Sequence, residues 1–85
     1  MEKHEIGKVT NYFAKIEVAA IKLTDTLKVG DTISIVGAHT DFEQNVDSIQ
    51  IERESIDQAG AGQEVGIKVR DRVRGNDIVY KVTGE

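Results

Sequence analysis

The sequence predicts an all-β fold: a small, mostly antiparallel β-barrel of about six or seven strands. Three observations carry that expectation. In residues 27–37, LKVGDTISIVG, an apolar anchor runs into Gly30-Asp31, which turns the chain at little cost because glycine tolerates positive φ. An alternating strand follows at once, with Ile33 and Ile35 on one face and Thr32 and Ser34 on the other. The device recurs near the C-terminus, where Arg74-Gly75-Asn76-Asp77 releases into Ile78, Tyr80 and Val82. Finally, no long stretch sustains apolar residues at the helical period of about 3.6.

The 85 residues make one domain, residues 1–85, with a modest core. At 39% hydrophobic and 31% charged residues, the composition is that of an ordinary soluble globular domain rather than a disordered chain. There is no cysteine, which excludes disulfides, thiolate metal sites and cysteine nucleophiles, and a cytoplasmic location is the expectation. Met1-Glu2-Lys3-His4-Glu5 is charged and lacks the apolar centre of a signal peptide. The longest apolar run, Val18 to Ile21, is far too short for a spanning helix, so no membrane partner is expected. A net charge of −4 disfavours nucleic-acid binding by the whole surface and leaves a local basic patch as the electrostatic route to it.

Taken in order, residues 6–9 form a short strand, and residues 11–14 connect it to a second strand over 15–23. In that second strand Ile16 and Val18 share one parity while Ile21 and Leu23 share the other, which predicts a β-bulge near Ala19-Ala20. Thr24-Asp25-Thr26 turns into the LKVGDTISIVG stretch, and Ala38-His39-Thr40-Asp41 loops out of it. Residues 42–44 and 46–52 then run extended, with Ile49 and Ile51 inward. Residues 55–59 form the one helical turn the pattern allows, ended by Gly60-Ala61-Gly62. Residues 64–70 alternate most clearly, with Val65, Ile67 and Val69 on one face; residues 78–82 close the barrel with Tyr80 inside.

Gly60-Ala61-Gly62-Gln63-Glu64-Val65-Gly66 superficially resembles a nucleotide-binding loop. Its third glycine falls late for a dinucleotide fingerprint, a strand follows in place of a helix, and no lysine stands at the Walker position. The stretch therefore reads as a turn and a close-packed strand glycine, Gly66, and no nucleotide is expected. His39 and Asp41 are two ligands on a loop, too few for a metal site, and His4 is the only other imidazole. No nucleophile, base and orienting acid are nominated together, so no catalytic residue, metal or cofactor is expected.

Lys68, Arg70, Arg72 and Arg74 share one parity, opposite Val65, Ile67, Val69 and Val73. A strand persisting through Val73 would line up these cations at about 6.6 Å, twice the strand rise and close to the phosphate spacing of a nucleic-acid strand. The alternative is a solvated edge strand kept soluble by charge, with Glu52, Glu54 or Asp71 neutralising it. Tyr12 and Phe42 would add stacking surface if exposed.

Read whole, Ile6-Gly7-Lys8-Val9, then LKVGDTISIVG, then VDSIQIERESIDQAGAGQEVGIKV, then VRGNDIVYKV resembles the second, β-barrel domain of translational GTPases of the elongation factor Tu and initiation factor 2 group. The matching positions are Gly7 and Val9; Lys28 to Asp31; Ala61, Gly62, Val65 and Gly66; and Gly75 to Val79. The chain is also similar to the barrel appended to some collagenase-like peptidases. The resemblance implies a rigid barrel used as a docking surface. Where the translation-factor barrel carries a glycine- and arginine-rich strand for the aminoacyl end of tRNA, this chain has Phe13-Ala14-Lys15-Ile16-Glu17-Val18-Ala19-Ala20, so that pocket is not carried over.

Two functions are expected from this. One is a non-catalytic module that binds translation-related RNA or a ribosomal component through Lys68, Arg70, Arg72 and Arg74. The other is a protein-interaction or accessory barrel that docks on a peptidase, another polypeptide or a copy of itself.

Overall fold

Ile33 and Ile35, Val65 and Ile67, and Ala19, Ile21 and Leu23 alternate with small or polar neighbours, and all of them are buried. The computed structural model describes residues 2–83, and every regular element among them is a strand. In chain order these are β1 (Glu2–Phe13), β2 (Val18–Leu23), β3 (Leu27–Lys28), β4 (Thr32–Gly37) and β5 (Thr40–Asn45). They continue with β6 (Ile49–Ile51), β7 (Glu54–Ile56), β8 (Gln58–Ala59), β9 (Glu64–Lys68) and β10 (Ile78–Thr83). An 8-stranded sheet runs β5-β4-β10-β1-β2-β9-β6-β7, and β3 with β8 forms a separate ribbon. All ladders are antiparallel.

The all-β, antiparallel expectation holds, but the closed barrel does not. No ladder among the described residues joins the outer strands β5 and β7. There are also more strands than the expected six or seven, for local reasons. Residues 46–59, expected as one extended run and a helical turn, break into β6, β7 and β8. Glu52 and Arg53 cause the first break, because both take positive φ (51° and 70°) in a hairpin turn between Ile51 and Glu54.

The bulge expected in the second strand lies instead in its neighbour. Thr10 is the extra residue between the pairs Val9↔Ile21 and Asn11↔Ala20, and Ile6 is another between Glu5↔Tyr80 and Gly7↔Val79. These two bulges let Ile6 and Val9, of opposite parity, both reach the core, while β2 stays regular. Ile16 falls outside β2, in the turn after β1. In β10 the pairing of Val79 with Ile35 and Gly7 sets the inward position, so Val79 is buried and Tyr80 is only half-buried on the other face.

One corner device is used three times. In Lys28–Asp31, the Lys28 N–H donates to Asp31 Oδ2 at 2.9 Å and the Asp31 N–H donates to the Lys28 carbonyl at 3.1 Å. In Gly60–Gln63, the Gly60 N–H donates to Gln63 Oε1 at 2.7 Å. In Arg74–Asp77, the Arg74 N–H donates to Asp77 Oδ2 at 2.9 Å. The third residue of each corner has positive φ: Gly30 at 99°, Gly62 at 90° and Asn76 at 78°. Each corner also clamps the backbone of one core residue. The N–H of its third residue donates to the carbonyl of Val46, Leu23 or Val9, and that residue's N–H donates back to the fourth carbonyl, all at 2.8–2.9 Å. From the three corners the chain passes directly into β4, β9 and β10.

Candidate functional site

Lys68, Arg70, Arg72 and Arg74 are all exposed, but they do not form the expected stripe. β9 ends at Lys68 because the last bond on its β2 side is Val69 N–H to the Glu17 carbonyl. Beyond it Asp71 and Arg72 have no ladder partner, and Arg74 opens the third corner. The spacing of cations along a single strand face is therefore absent. Lys68 and Arg70 line one groove together; Arg72 and Arg74 lie outside it. Among the described residues none of the four is within ion-pair distance of a carboxylate, including Glu52, Glu54 and Asp71. Tyr12 and Phe42 pack against the core. His39 lies in the β4–β5 turn and Asp41 within β5, and no cluster of three or more metal-ligating side chains occurs among the described residues.

The surface feature that the fold does build is a trough across β2, β9 and β6. On the face opposite Ala19, Ile21, Val65 and Ile67, the pairs Asn11↔Ala20, Ala20↔Gly66 and Gly66↔Gln50 lie in one row. Small residues at its centre leave the trough floor low. At one end Glu17, Gln44, Asp47, Ser48, Lys68 and Arg70 line a groove of about 550 Å³. A depression of about 310 Å³ shares Ser48 and Lys68 with it and adds Ile16, Val18, Gln50 and Gly66. The other end, about 380 Å³, shares Val18, Gln50 and Gly66 and reaches Phe13 and Arg53. Phe13 and Ile16 are 46% and 61% exposed, so two of the most exposed large hydrophobic side chains stand on this one trough.

The groove at the first end is a gap in the sheet. β6 meets β9 only through Gln50↔Gly66, and continuing that antiparallel register would set Ser48 opposite Lys68. The chain cannot follow it, because the Val46 backbone is committed to the Lys28–Asp31 corner. The Gln44 side chain fills the space instead: its Nε2 donates to the Lys68 carbonyl and its Oε1 accepts from the Arg70 N–H, both at 2.8 Å. The sequence pattern marks none of Gln44, Phe13 and Ile16 as a site residue. The available signal was Ile16 itself, an apolar residue between Lys15 and Glu17 in a turn.

The chain is 44% identical over 79 residues to an uncharacterized protease of Methanocaldococcus jannaschii, covering 92% of this chain and 19% of the protease. It is 33% identical over 82 residues to a collagenase of Porphyromonas gingivalis, covering 94% of this chain and 23% of the collagenase. It thus spans about a fifth of the length of the curated relatives it matches. Among solved structures it superposes on the C-terminal domain of a candidate U32 peptidase of Geobacillus thermoleovorans with a TM-score of 0.89 at 22% identity, covering 94% of this chain and 93% of that domain. The two share one fold. A selenomethionine variant of the same domain gives a TM-score of 0.86 at 22% identity, covering 89% and 96%. No family model matches the chain.

These relatives correct the translation-factor expectation. The similarity runs to segments of a protease and of collagenases, not to translational GTPases, and it removes the ground for an RNA-binding or ribosomal role. The expected likeness to the segment appended to collagenase-like peptidases does fit.

Proposed function

We propose that this chain is a non-catalytic accessory module of a peptidase-type protein, and that it docks polypeptide through the trough bounded by Phe13, Ile16 and Gln44. The observation that carries the reading is the 44% identity to one-fifth of a protease, since a segment of that size sits beside the rest of a longer enzyme. The trough itself supports polypeptide as the docked class. It joins exposed apolar side chains to amide and hydroxyl groups, and its charged lining is mixed: Glu17, Asp47, Glu52 and Glu64 oppose Arg53, Lys68 and Arg70. Such a lining offers no field for a polyanion.

The test uses the purified chain with unfolded β-casein as the probe. The reading expects no cleavage of the casein and saturable micromolar association. Cleavage that disappears when a residue of this chain is replaced, or failure to associate at any concentration, would overturn it.

A further inference from the structure

The gap between β6 and β9 leaves part of the sheet unfinished. Hydrogen-bonding groups alternate sides along a strand. On the β2 side the Val69 N–H is bonded to the Glu17 carbonyl at 2.9 Å, so the Lys68 carbonyl and the Arg70 N–H point the other way, into the gap. There they meet a side chain rather than a strand. A carboxamide carries the donor and acceptor of a peptide group. Gln44 uses both, bonding Lys68 and Arg70 across Val69 as one backbone residue of a neighbouring parallel strand would.

We infer that the edge formed by residues 68–70 accepts an extended polypeptide segment, in which the N–H and C=O of one residue replace the Gln44 carboxamide and add a short strand to the sheet. This rests on the reading of the chain as a polypeptide-docking module. The chemistry of the occupant follows from the gap. The paired acceptor and donor match the N–H and C=O of one extended residue, and Glu17 and Asp47 balance Lys68 and Arg70, which suits a neutral chain. Ile16 and Val18, in the adjoining depression, supply an apolar wall for a side chain of the incoming segment, and Gly66 leaves its backbone room to approach. Gln44 is then a displaceable plug that keeps the edge from pairing indiscriminately while it is empty.

The test is an amide-resolved NMR titration of the full chain with a tryptic peptide pool of β-casein, which offers many sequences without folded structure. The expected result is that the Arg70 backbone amide and the Gln44 side-chain amide shift together and saturate, and that Gln44→Ala binds the pool several-fold more tightly because the competitor is gone. Gln44→Met keeps the side-chain stem without the amide and serves if the alanine variant does not fold. Shifts confined to other surfaces would overturn the strand-addition site while leaving polypeptide docking intact. No shift anywhere up to millimolar peptide would overturn both.

Discussion

Gly37 faces the buried carboxylate of Asp77 so closely that a Cβ on Gly37 would stand 2.6 Å from the carboxylate carbon. The carboxylate cannot retreat without cost, because Oδ2 accepts the Arg74 N–H and the residue is 4% exposed. The end of β4 is thereby locked to the corner that launches β10. Gly37→Ala should destabilise the chain by about 1–3 kcal/mol, the usual cost of forcing atoms into a packed site. Denaturant unfolding checks this, and the cycle with Asp77→Ala should show coupling between the two positions rather than additivity.

The three corners separate backbone strain from crowding. At Gly30 and Gly62 a Cβ would meet nothing within 4 Å, yet φ is 99° and 90°. Gly30→Ala and Gly62→Ala should therefore each cost about 1–2 kcal/mol from the left-handed backbone alone. Gly60 also has open space but no positive φ, so Gly60→Ala should be neutral or stabilise by about 0.4–1 kcal/mol. Equal losses at all three positions, measured by thermal unfolding, would contradict this division.

The Gln44 bonds can be weighed by removal. Gln44→Ala leaves the Lys68 carbonyl and the Arg70 N–H without their 2.8 Å partners. A loss of about 1–3 kcal/mol is expected, together with faster hydrogen exchange at Arg70 than at Ile67 in the paired part of β9. Unchanged exchange at Arg70 would mean that the Gln44 bonds do not protect this edge.

The β6–β7 hairpin carries Glu52 and Arg53 at positive φ, where Asn-Gly is the favoured pair. The double change Glu52→Asn/Arg53→Gly should raise stability by about 1 kcal/mol or more by relieving that strain. A lower unfolding midpoint for the double variant would contradict it.

Much of the fold was legible because period-two alternation is a local signal, as at Val65, Ile67 and Val69. Two of the three corners were legible as well, since each ends in aspartate. The third reads in the sequence as a plain turn because Gln63 does the work of the aspartate at Asp31 and Asp77. The parity change between Ile16 and Ile21 points to a bulge in β2, but Ile16 lies in a turn outside the strand, and the bulges fall in β1, where Ile6 and Val9 differ in parity. Whether the sheet closes depends on which distant strands pair, and whether β6 follows β9 depends on the clamp on Val46; periodicity registers neither. For the same reason Gln44 was invisible: a side chain standing in for backbone leaves no pattern along the chain. The cationic series was legible as parity but not as a site, since a ladder partner runs out after Val69.

The most direct test of polypeptide docking is an anisotropy titration of fluorescein-labelled, unfolded β-casein with the wild-type chain and with Phe13→Ser/Ile16→Ser. Both side chains are exposed, so the double variant should keep its unfolding midpoint. The prediction is saturable binding that weakens by about tenfold or more in the variant, the loss expected when apolar contact worth about 1.5–3 kcal/mol is removed. Equal affinity for the two proteins would contradict the trough as the docking surface, and no binding by either would contradict docking of polypeptide altogether.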